Sequence, residues 1–104
     1  MNKIFKAEFT DEAREQANKL EIHQKRKLAK AIEIFEQVGM QYKNINKLNN
    51  GLFELKPDDI RAYFKYCENR IIIIGLVVLK KSQKAPKRFI EQAEHNIEKY
   101  LKGF

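Results

Sequence analysis

The sequence predicts an α+β domain in the order β-α-α-β-β-β-α: an antiparallel sheet, an N-terminal helical hairpin packed on one face, and a C-terminal helix. Three observations carry that reading. Apolar and polar residues alternate with period two around Phe5, Ala7 and Phe9 and again around Phe53 and Leu55. Apolar residues recur at helical spacing over 13–38 and over 89–101. Residues 71–79 are apolar almost throughout, which suits a central strand covered on both faces.

Each element follows from local chemistry. Lys3–Phe9 reads as a strand with Phe5 and Phe9 inward. Thr10 then has the side chain of an N-cap, and Asp11 and Glu12 sit where a helix start favours acids. Ala13, Ala17 and Leu20 continue that first helix. A second runs over Ile22–Val38, with Leu28, Ala31, Ile32, Phe35 and Val38 on one stripe and Gly39 as its terminator. Met40–Asn50 is polar and is expected to be a loop. Leu52–Lys56 and Ile60–Cys67 read as strands joined by the turn residues Pro57, Asp58 and Asp59. Glu68-Asn69 is a second turn, Arg70–Leu79 a further strand, and Lys84–Tyr100 a final helix. Pro86 suits the first turn of that helix, and Phe89, Ile90, Ala93, Ile97, Tyr100 and Leu101 form its inward stripe.

At 104 residues the chain is one domain, 1–104. The nine-residue apolar run falls short of the roughly 20 that a membrane-spanning helix needs. The first residues hold no apolar stretch of signal-peptide length, so a cytoplasmic location is expected. One cysteine, Cys67, excludes an internal disulfide, and two histidines far from it in sequence argue against a zinc site. No metal or other cofactor is expected. Lys plus Arg outnumber Asp plus Glu by 21 to 14, giving a formal charge of +7, which favours an anionic partner.

Register places part of that charge on one wall. Pairing Lys56 with Arg61 across the turn sets Glu54 opposite Tyr63 and Leu52 opposite Lys65. Glu54, Lys56, Arg61, Tyr63 and Lys65 then share a face, while Phe53, Leu55, Ala62, Phe64 and Tyr66 face the helical hairpin. Pairing Cys67 with Arg70 sets Arg61 opposite Leu76 and Tyr63 opposite Ile74, and alternation brings Lys80 to the Arg61 side. A bulge at Gly75 would reverse that parity and bring Lys81 instead. Two readings stay open: an ordinary solvated sheet face, or a site for an anion or nucleic acid. The acid-free cluster Lys80, Lys81, Lys84, Lys87 and Arg88 adjoins it. His23, His95 and Cys67 read as surface or structural residues.

Gly51-Leu52-Phe53-Glu54-Leu55-Lys56, Arg61-Ala62-Tyr63-Phe64, the Ile/Val strand and Lys80-Lys81-Ser82-Gln83-Lys84-Ala85-Pro86-Lys87 resemble, in order and spacing, the HigB-like branch of the RelE/ParE toxin superfamily. The resemblance covers roughly residues 3–101. It implies the toxin of a type II toxin–antitoxin module: a metal-independent endoribonuclease that cleaves mRNA at the ribosomal A site and so inhibits translation. It also implies a helix-turn-helix antitoxin as partner, in a hetero-oligomer. In such enzymes the ribose 2′-oxygen attacks the adjacent phosphate and the 5′-oxygen leaves. The resemblance places Arg61 on the phosphate, with Lys56, Lys80 and Lys81 as further cations and one of the last two as general acid. It leaves Glu54 either as base or as ion-pair partner, and Tyr63 in base stacking or proton transfer. Lys65, Gln83, Lys84, Lys87 and Arg88 would hold RNA. Relatives with His-Gly-Phe before the basic pair differ from this chain, which has Leu76-Val77-Val78 there. Two alternatives remain: a non-enzymatic ParE-like gyrase inhibitor, and an inactive basic RNA-binding relative.

Overall fold

A computed structural model describes residues 3–48, 51–80 and 85–103. In chain order the elements are β1 (Lys6–Phe9), α1 (Asp11–Asn18), α2 (Ile22–Val38), β2 (Ile45–Lys47), β3 (Leu52–Leu55), β4 (Ile60–Cys67), β5 (Ile71–Leu79) and α3 (Lys87–Lys102). The strands form one sheet in the order β1-β5-β4-β3-β2, which makes β5 and β4 central, as the apolar content of β5 demands.

The sheet is mixed rather than antiparallel. β1 lies parallel to β5, from Lys6 opposite Ile71 to Phe9 opposite Ile74, while the other pairs are antiparallel. The intervening helices supply the crossover that a parallel neighbour requires. The stretch expected to be a loop contains β2, an edge strand of three residues held by backbone pairing to β3. Such a short, Asn- and Lys-containing segment carries no alternation signal.

Thr10 caps α1 as expected, its hydroxyl accepting from the Ala13 amide at 3.1 Å. β1 stops at Phe9, so the edge of β5 beyond Ile74 needs other partners. The Thr10 amide donates to Ile74 O at 3.0 Å, and the Gln16 side-chain oxygen accepts from the Val77 amide at 2.8 Å. Glu36 fastens the other end of β1. Its carboxylate accepts from the Ala7 amide at 2.8 Å and pairs with Lys3 at 3.1 Å, and its carbonyl accepts from Ile4 and Phe5.

Helices cover both faces of the sheet, not one. α1 and α2 bury Leu55, Ala62, Phe64, Ile72 and Ile74 with Phe35 and Leu28. α3 buries Leu52, Tyr63, Ile73 and Leu76 with Ala93 and Ile97 on the other side. Leu101, expected on the inward stripe of α3, is 56% exposed. The β4–β5 register runs from Cys67 opposite Ile71 to Phe64 opposite Ile74, then shifts to Tyr63 opposite Leu76. Gly75 is thus the bulge residue. A Cβ there would lie 2.6 Å from Ala93 O and from Ile97 Cγ1, so glycine is what lets α3 approach. Asn96 of α3, itself buried, donates to Gly75 O at 2.8 Å and accepts from Gln92 at 2.8 Å.

Candidate functional site

β3 and β4 pair as the turn chemistry predicts, with Glu54 opposite Tyr63 and Leu52 opposite Lys65. The β4–β5 register differs from the expected one at two places. The turn holds Glu68, Asn69 and Arg70, the last two at positive φ, so Cys67 faces Ile71 rather than Arg70. Together with the Gly75 bulge this puts Val78 opposite Arg61 and Leu76 opposite Tyr63. Each difference moves the register by one residue. Their sum is two, which restores parity, so Lys80 reaches the Arg61 side.

Strands β2, β3 and β4 and the residue that follows β5 therefore contribute to one cluster. The Glu54 carboxylate lies 3.6 Å from Lys80 Nζ and 3.9 Å from Arg61 Nε. Asn46 of β2 donates to its other oxygen at 3.4 Å. Arg61 Nη1 donates to the carbonyls of Asp58 at 2.7 Å and Ile60 at 2.9 Å, which folds the guanidinium along the β3–β4 turn. Lys80 follows β5 directly, its amide fixed to Asp59 O at 2.8 Å.

The wall expected to be open and polar is largely closed. Glu54 is 1% exposed and Tyr63 fully buried, and the side chains of Lys80 and Arg61 are 3% and 13% exposed. Over Tyr63 the cover is α3, which packs Phe89 against it with ring centroids 6.4 Å apart. Three polar atoms here, Glu54 Oε2, Arg61 Nε and Tyr63 OH, are buried without a hydrogen-bond partner among the described residues. Burial, reinforced by the nearby Glu54 carboxylate and opposed by Arg61, pushes the Tyr63 phenol far above its ordinary value. It stays neutral wherever the protein works and can hold a proton but not accept one.

The remaining candidates lie elsewhere. Lys65 pairs with Glu94 of α3 at 3.5 Å, away from the cluster. Lys56 is half-buried just past β3. Lys87 and Arg88 are exposed at the start of α3, with the Arg88 guanidinium 5.0 Å from the Phe89 ring centroid. Lys81, Gln83 and Lys84 lie outside the described residues. Two participants escaped the sequence reading. Asn46 sits in the stretch taken for a loop. Asp58, taken for a simple turn residue, carries the carbonyl that orients Arg61, while its carboxylate pairs with Lys27 of α2 at 2.5 Å. Lys27 holds the Asp58 carboxyl below its usual value, and Asp58 raises Lys27 in return. Neither had a spacing signal, because both act through the turn's three-dimensional shape.

The arrangement offers two cations that can brace a phosphate, a carboxylate that can take a proton and a phenol locked in its neutral form. Among the described residues, no group of three or more His, Cys, Asp or Glu side chains comes together to hold a metal ion, and no helix is long and apolar enough to cross a membrane.

The fold is similar to that found in the crystal structure of the toxin–antitoxin complex RelBE2 from Mycobacterium tuberculosis. The match has a TM-score of 0.63 at 15% sequence identity and covers 73% of this chain and 98% of that one. No curated protein sequence matches the chain. Residues 15–98 match the model of the family described as phage derived protein Gp49-like (DUF891), and the chain belongs to that family.

Proposed function

We propose that this protein is the toxin of a toxin–antitoxin pair and acts in the cytoplasm as a metal-independent endoribonuclease, cutting mRNA in the ribosomal A site, as the HigB-like resemblance implies. The observation that supports this best is the convergence of Glu54, Arg61 and Lys80 from three strands on a fold shared with a RelBE2 chain. A helix-turn-helix antitoxin is the matching partner.

The reaction sets three tasks: accept the proton of the 2′-hydroxyl, neutralise charge on the phosphate as the 2′-oxygen adds, and protonate the 5′-oxygen as its bond to phosphorus breaks. Arg61 and Lys80 take the phosphate. Glu54 is assigned as the base, because its carboxylate lies within 4 Å of both cations that would hold the phosphate. Lys80 or Lys81 gives the final proton. Lys56, Gln83, Lys84, Lys87 and Arg88 are assigned to the flanking RNA, and Lys65 only if it leaves Glu94. No step calls for a metal, since the two cations supply the positive charge.

The test is brief induction in a host without the antitoxin, with mapping of RNA 5′ ends. The expected result is growth arrest with cuts inside codons. Arg61→Ala should lose about 100- to 1,000-fold in cleavage, the cost of one transition-state donor, while remaining folded. Equal toxicity of Arg61→Ala would overturn the assignment. The depth of burial of Glu54, Tyr63 and Lys80 favours a second reading, in which the cluster is structural in a non-enzymatic relative. That protein would leave transcripts intact. A gyrase inhibitor would instead show broken DNA.

A further inference from the structure

A second cationic site lies around the turn from Arg61. The first nine residues of α2, from Ile22 to Lys30, carry Lys25, Arg26, Lys27 and Lys30 and no acid. All four are exposed. Arg26, Lys27 and Lys30 line a groove of about 400 Å³ whose far wall is Tyr42, Pro57 and Asp58. Asp58 is the groove's one acid, and Lys27 already neutralises it at 2.5 Å. Among the described residues Arg26 and Lys30 have no acidic partner. They sit four residues apart, one helical turn or about 6 Å, close to the step between successive phosphates of an extended single strand. The groove also touches the catalytic cluster through one residue, because the Asp58 carbonyl accepts from Arg61 Nη1 at 2.7 Å.

We propose that this groove is a backbone-binding subsite for single-stranded RNA, which receives the phosphates flanking the linkage held at Arg61. The proposal rests on the cleavage reading above and extends it: the strand bends over the β3–β4 turn, with Arg61 on one side and Arg26 and Lys30 on the other. An acidic protein surface would meet the same charges. RNA is favoured because the groove runs into the turn that orients Arg61, so a ligand of one repeating chemistry can occupy both.

The test uses the full chain and uncleavable 2′-O-methyl RNA. One probe is a labelled strand of about twelve nucleotides, followed by anisotropy over a range of salt. The other is a dinucleotide, followed by NMR titration. The variant is R26Q/K30Q, which spares Lys27 and its link to the turn; R26K/K30R is the conservative control. The expected result is that R26Q/K30Q binds the long strand about 10- to 30-fold more weakly at 0.1 M salt. Its salt slope should fall by about 1.4, the loss of two single-strand phosphate contacts. Dinucleotide affinity should be unchanged, R26K/K30R should restore the long-strand affinity, and Arg61→Ala should weaken both probes. If R26Q/K30Q binds the long strand like wild type while Arg61→Ala does not, the groove carries no RNA, though the site at Arg61 stands. The proposal also falls if R26Q/K30Q spares RNA but weakens co-purification with a co-expressed antitoxin. If neither variant changes RNA binding, the subsite and the cleavage reading fall together.

Discussion

Glu54→Gln tests whether the cluster is an interdependent ion group. The substitution keeps shape and volume and removes one charge. Lys80, with 3% of its side chain exposed, then loses a carboxylate 3.6 Å away, and Arg61 loses one at 3.9 Å. Removing one partner of a buried pair costs up to about 3–5 kcal/mol, because the other charge loses its nearest compensation. The total stability expected for a domain of this length is about 5–15 kcal/mol. The urea midpoint should therefore fall by about 2 M, given a slope near 2 kcal/mol per molar. Far-UV circular dichroism during urea titration measures it. Lys80→Met and the double variant complete a cycle. The double variant should be at least about 2 kcal/mol more stable than the two single losses added together, because removing both charges leaves little uncompensated. A Glu54→Gln midpoint within error of wild type, or strict additivity, would show that groups other than the Glu54 carboxylate satisfy Lys80 and Arg61.

Four further outcomes are expected. Gly75→Ala places a methyl group 2.6 Å from a backbone oxygen of α3, so the helix must move and the melting temperature should drop, at a cost of about 2–3 kcal/mol; an unchanged value would mean that α3 is not seated on the bulge. Tyr63→Phe removes a buried hydroxyl that has no hydrogen-bond partner among the described residues and should be neutral or stabilising by about 1 kcal/mol in the same melt, whereas a clear loss would reveal a bond to that hydroxyl. The Tyr63 phenol is raised when folded, so above pH 10 the unfolded chain sheds a proton that the native one keeps. Stability should fall as pH climbs through that value, less steeply in the phenylalanine variant. Glu36→Ala strands the Ala7 amide and frees Lys3, which should cost about 2 kcal/mol and speed hydrogen exchange at Ala7; exchange at the wild-type rate would refute the clamp.

Most of the fold was legible because its signals are local. The Thr10 cap, the Gly39 terminator and the alternation around Phe53 each depend on neighbours within a few residues. What escaped is non-local. The parallel pairing of β1 with β5 joins residues some sixty-five positions apart, and nothing in Lys6–Phe9 marks it as parallel. The side on which α3 packs is equally unmarked: its stripe of Phe89, Ala93 and Ile97 would suit either face. It packs where Gly75 leaves room. That one choice turns the expected open wall into a buried one. The Lys80 placement came out right by cancellation, since a longer turn and a bulge each displaced the register by one residue. Glu54, Arg61 and Tyr63 were marked by the hairpin alone, while Asn46, Asp58 and Lys27 join through contacts that no spacing encodes.

The burial of the cluster can be weighed against the proposed cleavage by following its charges through that reaction. Arg61 and Lys80 with ionised Glu54 carry one net positive charge, which a phosphodiester neutralises on binding. As the 2′-oxygen adds, the phosphorane gains a second negative charge. If Glu54 takes the 2′-hydroxyl proton, the cluster loses its own negative charge at the same moment and the sum stays at zero. When Lys80 hands a proton to the departing 5′-oxygen, one positive charge goes and the cyclic phosphate returns to a single negative one, again summing to zero. A base outside the cluster would leave Glu54 ionised beside the doubly charged phosphorane and hold the matching positive charge farther off, a separation of charge that is costly in so buried a site. Burial thus bears on the choice of base: the closed wall that argues for a structural role is also the setting in which Glu54, tied to both cations, can take the proton while cluster and phosphorane together stay neutral.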